Sequence, residues 1–257
     1  MIPALSRLSF LLAGPYAFYR DVLTLADDPR PALPGRELIR PETLDTLMRR
    51  FRPKDANNDR RAVASLWSKE YFLRLVPPVA AANLLLSWHL PIGLDEFSVI
   101  IGPDGLPQAF KLPDGGTAMA STCVDPFARF DALLEKNMAV LIDALAAHVR
   151  ISPRVLWCNG GDYFDRLMVA LRQSGLVPQA LTAAGQSILT EPRRTDGRSN
   201  PMYQPIRYER VLKADGTADV VRQPRVCCIR YLLPGVPYCG NCPHLTAVAR
   251  RIPSPVS

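Results

Sequence analysis

The chain has 257 residues, 48% of them hydrophobic, and carries a net charge of +7. A chain of this length buries roughly 70 to 75% of its extended surface, so it needs neither disulfide nor metal merely to fold, and it suggests one large domain with at most a small appendage. The charge is uneven: residues 1–191 hold 20 basic against 20 acidic side chains, residues 192–257 hold 11 against 4, and such a basic collar either favours an anionic partner or is an ordinary solvated face.

In chain order, "MIPALSRLSFLLAGPYAFY" has only Arg7 ahead of a short apolar run that Gly14-Pro15 interrupts, so no secretory leader is expected. Pro41, Glu42, then Leu44, Leu47, Met48 and Phe51 at three-to-four spacing, closed by Arg49, Arg50 and Arg52, predict an amphipathic helix. "NDRRAVASLWSKEYFLRLV", residues 58–76, predicts another, ended by Pro77-Pro78. The apolar stretch Leu75 to Trp88 contains both prolines and Asn83 and falls short of the roughly 20 apolar residues that span a bilayer. The expected compartment is the cytosol, where thiols stay reduced and metal binding outranks a disulfide framework.

"EFSVIIGPDGLPQAFKL" predicts a hairpin turning at Pro103-Asp104-Gly105. Asp125 as N-cap before Pro126 opens a long helix with Leu134, Met138, Leu141, Leu145 and Val149 on one face. "PRVLWCNGGDYFDRLMVALRQSG" reads as a short strand, a Gly160-Gly161 turn and a helix closed at Gly175. On that reading Asp162 and Asp165 lie in the helix's first turn, suited to the positive end of its dipole or to paired acid-base work. "EPRRTDGRSNPMYQP", residues 191–205, is the expected mobile or binding loop, and "IRYERVLKADGTADVVRQPRVCC" a second hairpin turning at Asp215-Gly216. The fold class expected is α+β, mainly helical with two β-hairpins, ending in a small metal-binding segment.

That segment, "VCCIRYLLPGVPYCGNCPHL", holds four of the six cysteines. In an extended strand Cys227 and Cys228 point to opposite faces and grip one ion only if the chain turns sharply there. Cys239-Gly240-Asn241-Cys242 is a tight knuckle that supplies a two-thiolate chelate. One knuckle and one adjacent pair sit more easily with a two-iron 2Fe-2S cluster than with mononuclear zinc, though zinc, a disulfide and inert thiols stay open. His244 is an alternative metal ligand, Cys123 and Cys158 read as buried reduced thiols, and His89 and His148 stand alone. No G-x-G-x-x-G or P-loop occurs, so no nucleotide-cofactor site is expected.

The pattern Cys-Cys-x10-Cys-x2-Cys, with Arg225, Arg230-Tyr231, Pro234 and Pro243 around it, resembles the signature of the FhuF family of siderophore-iron reductases. Weaker resemblance extends through "SLWSKEYF", residues 65–72, and "LWCNGG", residues 156–161, where Cys158 departs from the small residue expected. The resemblance implies a cytoplasmic oxidoreductase that passes one electron from a 2Fe-2S cluster on Cys227, Cys228, Cys239 and Cys242 to siderophore-bound Fe(III). It implies an FhuF-like α+β domain over residues 1–220 and a cluster-binding segment over 221–257. Trp157 and Asn159 become candidate siderophore contacts, against the plainer reading of Trp157 as core. Arg193, Arg194 and Arg198 could meet anionic ligand groups, and Arg225 and Arg230 could tune the cluster by stabilising its reduced form; all five also read as solvated surface. Partners on this reading are a ferric siderophore and a separate electron-donor protein, which the basic collar would dock if acidic. Nucleic acid is not expected, and weak peripheral membrane association is left open. The competing readings are a zinc-knuckle regulatory or nucleic-acid-binding protein, and an iron-sulfur electron carrier or redox sensor without a substrate pocket.

Overall fold

The computed structural model describes residues 14–120, 125–175, 177–212 and 217–245; the leader reading on the first residues, Cys123 and the Asp215-Gly216 turn fall outside them. A 3-10 turn, Gly14–Asp21, leads into β1 (Leu23–Leu25) and β2 (Leu33–Pro34), then α1 (Pro41–Phe51) and α2 (Arg60–Leu86). Next come β3 (Trp88–His89), β4 (Ser98–Ile101), β5 (Pro107–Leu112) and β6 (Thr117–Ala118). The second half runs through α3 (Val140–Val149), α4 (Pro153–Ser174), α5 (Gln179–Thr190), β7 (Ile206–Leu212) and β8 (Ala218–Pro224). One four-stranded sheet has the order β1-β5-β4-β2, with β1 and β5 parallel and the other pairs antiparallel; β3 pairs β6 and β7 pairs β8. This is the α+β arrangement, dominated by helix, that the residue pattern implies.

Helix α2 is the axis of the core. Trp67, Tyr71, Phe72 and Leu75 are fully buried, and the helix packs along α4, α5 and the four-stranded sheet, which is why it is apolar nearly all round. It does not stop at Pro77-Pro78 but continues to Leu86. A proline leaves the carbonyl four residues before it without its helical donor. For Pro77 that carbonyl belongs to Leu73, and it accepts the Tyr19 hydroxyl at 2.9 Å, so a tertiary contact supplies what the sequence removes.

The predicted helix from Asp125 is present in pieces. The Asp125 carboxylate caps Phe127 N at 2.9 Å, the turns Pro126–Arg129 and Asp131–Leu133 follow, and a π-helical stretch, Leu134–Ala139, runs into α3. Leu134, Met138, Leu141, Leu145 and Val149 are all buried, as their spacing predicts.

The strand and Gly-Gly turn expected over residues 153–161 are absent: the whole stretch is the first half of α4. The glycines serve close approach, not a turn. A Cβ on Gly160 would lie 2.4 Å from Met138 Cε, and one on Gly161 would lie 2.5 Å from Pro205 Cβ. Asp162 and Asp165 are therefore mid-helix rather than in a first turn, and both are buried. Arg222 of β8 binds both: it pairs with the Asp162 carboxylate, donates to Asp162 O at 2.9 Å through Nη2, and to Asp165 Oδ2 at 2.9 Å through Nε. Tyr208 of β7 donates to the same Asp165 oxygen at 2.8 Å. These bonds lock the hairpin onto α4, which removes the acid-base reading.

The segment 191–205 is tied down as well. Asn200 is buried and donates to Ile188 O at 2.8 Å and Glu191 O at 2.7 Å, and Arg193 and Ser199 form a bridge across its turn.

Removing Arg222 takes the shared cation from two buried carboxylates, leaving Asp165 with the Tyr208 hydroxyl and Asp162 with Arg166 at 3.4 Å, a change that costs about 3–5 kcal/mol. Arg222→Met is expected to lower stability by that amount in urea unfolding followed by circular dichroism, and a loss under 1 kcal/mol would show that the hairpin is not anchored there.

Candidate metal centre

Beyond Pro224 the chain leaves the strand, three residues before the first cysteine pair. Arg225 N donates to Pro205 O at 2.8 Å, the Cys158 thiol donates to Pro205 O at 3.3 Å and to Val226 O at 3.5 Å, and the Ser65 hydroxyl donates to Cys228 O at 2.8 Å. Ile229 then sits at φ 52° and ψ 15°, a left-handed turn that is a genuine outlier for a β-branched residue. This is the sharp turn an adjacent pair requires. It swings the Ile229 N–H back to Cys227 Sγ at 3.3 Å.

A 3-10 turn, Arg230–Leu232, packs against α2. Leu233 is buried in the core, with Val226, Ile229 and Val236 packed against it. The knuckle closes through Cys242 N to Cys239 O at 3.0 Å, and Gln223 of β8 donates to Cys242 O at 3.3 Å.

These turns bring the four sulfurs together in one connected group. Cys239 and Cys227 both hydrogen-bond Cys228, and Cys227 Sγ lies 3.9 Å from Cys242 Sγ. Hydrogen bonds from Cys227 and Cys239, with the Lys69 ammonium adding to them, hold the Cys228 thiol far below its ordinary value. Cys227 and Cys239 are pushed up, by those same bonds to Cys228 and by burial. Among the described residues no three His, Cys, Asp or Glu side chains surround a position for a single metal ion. Four soft sulfur donors supplied as two pairs are a donor set that fits two irons, each wanting two thiolates. Cys228 and Cys242 are buried while Cys227 and Cys239 are half-buried, so the group is partly open to solvent.

The other expected site residues distribute differently. Trp157 is 8% exposed and Asn159 3%, so neither offers a surface to a siderophore; Trp157 is core. Asn159 lies under the cysteines: its Nδ2 is 3.0 Å from both Ser65 O and Ser65 Oγ, and 3.1 Å from Ser68 Oγ. Arg194 is paired with Glu135 and stacks over Phe127 at 5.9 Å. Arg198 pairs with Asp196 at 2.6 Å and Arg193 donates to Gly197 O at 3.1 Å, so these three arginines brace the 191–205 turn. Arg225 is exposed, bonded to Gln204 Oε1 at 2.7 Å and lying over the Tyr203 ring at 5.7 Å. Arg230 is half-buried on the turn between the two cysteine pairs.

Cys158 is buried, which pushes its thiol up. His148 is not alone: its Nε2 lies 2.7 Å from Asp45 Oδ1, a carboxylate that also pairs with Arg60. The partner is 103 residues away in sequence, beyond any local spacing. His244 packs with Tyr231 and Tyr238 at 5.2 and 6.0 Å between ring centroids, an aromatic group beside the knuckle that motif reading passes over. Ser65, Ser68 and Lys69 are also missed as site residues, although they stand in "SLWSKEYF", a stretch singled out by resemblance.

Two family models match the chain: ferric iron reductase FhuF-like transporter over residues 65–215, and FhuF 2Fe-2S C-terminal domain over residues 225–244. The second match carries the iron-sulfur assignment over zinc. A ferric siderophore reductase of Escherichia coli (strain K12) is 27% identical over 184 residues, covering 72% of this chain and 66% of that protein, just under two thirds of its length. Among the described residues no helix is long and apolar enough to cross a membrane.

In metal-free protein, maleimide labelling read by peptide mass spectrometry should reach Cys227 and Cys239 before Cys158, which should label only on unfolding. Early labelling of Cys158 would contradict its burial beneath Val226 and Pro205.

Proposed function

The chain belongs to the FhuF-like ferric iron reductase family, and from that premise we propose that it is a cytoplasmic ferric-siderophore reductase whose cluster ligands are Cys227, Cys228, Cys239 and Cys242. The single observation that supports this most is the gathering of four sulfurs by a left-handed turn at Ile229 and a knuckle at 239–242. When bound, a 2Fe-2S cluster supplies one electron at a time at a potential set by charge, hydrogen bonds to sulfur and solvent access. One electron suffices to convert hard, oxygen-chelated Fe(III) into exchangeable Fe(II), with no bond within the siderophore broken.

The protein's part is to hold, shield and expose. Buried Cys228 and Cys242 would hold a cluster against the body, and half-buried Cys227 and Cys239 would leave it partly open to a donor and a substrate. Tyr231, Tyr238 and His244 screen the knuckle side. Exposed Arg225, with Arg230 and Lys69, gives this face a positive field. That field favours both an acidic electron-donor protein and the negative charge of the reduced site. The residues 1–220 then serve as the platform and 221–257 as the cluster-bearing part. Neither Trp157 nor Asn159 is proposed as a substrate contact.

Protein purified without oxygen is expected to hold two irons and two acid-labile sulfides per chain, to give a rhombic electron paramagnetic resonance signal on reduction, and to reoxidise on adding a ferric siderophore. One zinc and no colour, with cluster loss during purification excluded, would end this reading. Turnover with an acidic donor should slow as ionic strength rises from low to physiological; a salt-independent rate would remove the docking role of the basic face.

A further inference from the structure

The Ile229 N–H that reaches Cys227 Sγ and the Cys228 carbonyl that accepts from Ser65 belong to one peptide group, the Cys228–Ile229 amide. Behind it stands a buried polar chain. The Ser65 hydroxyl spends its proton on Cys228 O, so its lone pairs face the Asn159 amide, whose Nδ2 is 3.0 Å away. The Ser68 hydroxyl donates to Ser65 O at 2.8 Å and lies 3.1 Å from the same Nδ2. Ser65 and Ser68 are fully buried and Asn159 is 3% exposed, so the chain is shielded from water along its length.

On the reading that Cys227 is a cluster ligand, we propose that Asn159 and Ser65 are positioning residues that act through the Cys228–Ile229 peptide to tune the cluster's reduction potential. Three observations carry this. Ile229 is held at φ 52°, a conformation a β-branched residue does not adopt unaided, so something must fix the peptide's orientation. Ser65 fixes the carbonyl end, and the N–H end then points at sulfur. Hydrogen bonds in series polarise one another, so a donor on the carbonyl makes the amide proton a better partner for a negatively charged sulfur. A hydrogen bond to a ligand sulfur stabilises the reduced, more negative cluster and raises its potential. No local spacing joins these residues, because Asn159 and Ser65 lie 94 residues apart and Ser65 and Cys228 lie 163 apart.

The test is a redox titration of the full chain carrying its cluster, followed by electron paramagnetic resonance, with iron per chain measured on each sample. At a fixed poise Ser65→Ala is expected to lower the reduced-to-oxidised ratio three- to tenfold, a tenfold change being 59 mV for one electron. Ser65→Thr, which keeps the hydroxyl, should restore the ratio. The exchangeable proton coupling seen by electron-nuclear double resonance, lost in deuterium oxide, should weaken in Ser65→Ala at unchanged iron content. Asn159→Ala, which leaves the hydroxyl in place, should shift the ratio in the same direction by less, and serves if Ser65→Ala fails to assemble. A cluster whose potential and proton coupling are the same in wild type and in every variant that assembles would overturn the relay alone. A wild-type chain that holds no cluster would overturn the four-cysteine reading and the relay with it.

Discussion

A twenty-residue segment with no helix or sheet of its own must present four thiols in fixed positions, and everything else in the molecule serves that constraint. A few local turns satisfy some of its backbone groups, such as Cys242 N on Cys239 O, and carbonyls at the cysteines are satisfied from outside. Ser65 on α2 takes the Cys228 carbonyl, Cys158 on α4 takes that of Val226, and Gln223 on β8 takes that of Cys242. The close packing of α2 on α4 is what places the first two donors side by side.

The same logic explains residues that look functional and are not. Asp162 and Asp165 could pass for a catalytic pair, yet they hold Arg222 and through it the hairpin that delivers the cysteines. Arg193, Arg194 and Arg198 could pass for an anion clamp, yet each is engaged within or against the 191–205 turn. Charge here is spent largely on architecture. Beside the sulfurs, the Lys69 ammonium is a charge that acts on Cys228.

Much of the fold was legible from residue pattern. The amphipathic helix at Pro41, the Asp125 cap and the hairpin at Pro103-Asp104-Gly105 all follow from local chemistry acting over a few residues. The errors share one cause. Pro77-Pro78 reads as a helix end because the lost hydrogen bond is local, while the Tyr19 hydroxyl that replaces it comes from 54 residues upstream. Gly160-Gly161 reads as a turn because glycine permits one, while the actual demand comes from Met138 and Pro205 pressing on the helix.

By itself the sequence determined the donor set: the number of thiols, their spacing and the knuckle lie within sixteen consecutive positions, where chain connectivity alone limits the geometry. It also determined that the segment would need a turn after its adjacent pair. Only the tertiary structure decided how that turn is held, since Ser65 reaches the Cys228 carbonyl through space across 163 residues and Asn159 in turn holds Ser65 across 94. A buried hydrogen bond of that kind leaves no periodicity and no spacing to read, because its partners are chosen by the packing of two helices and not by their order along the chain.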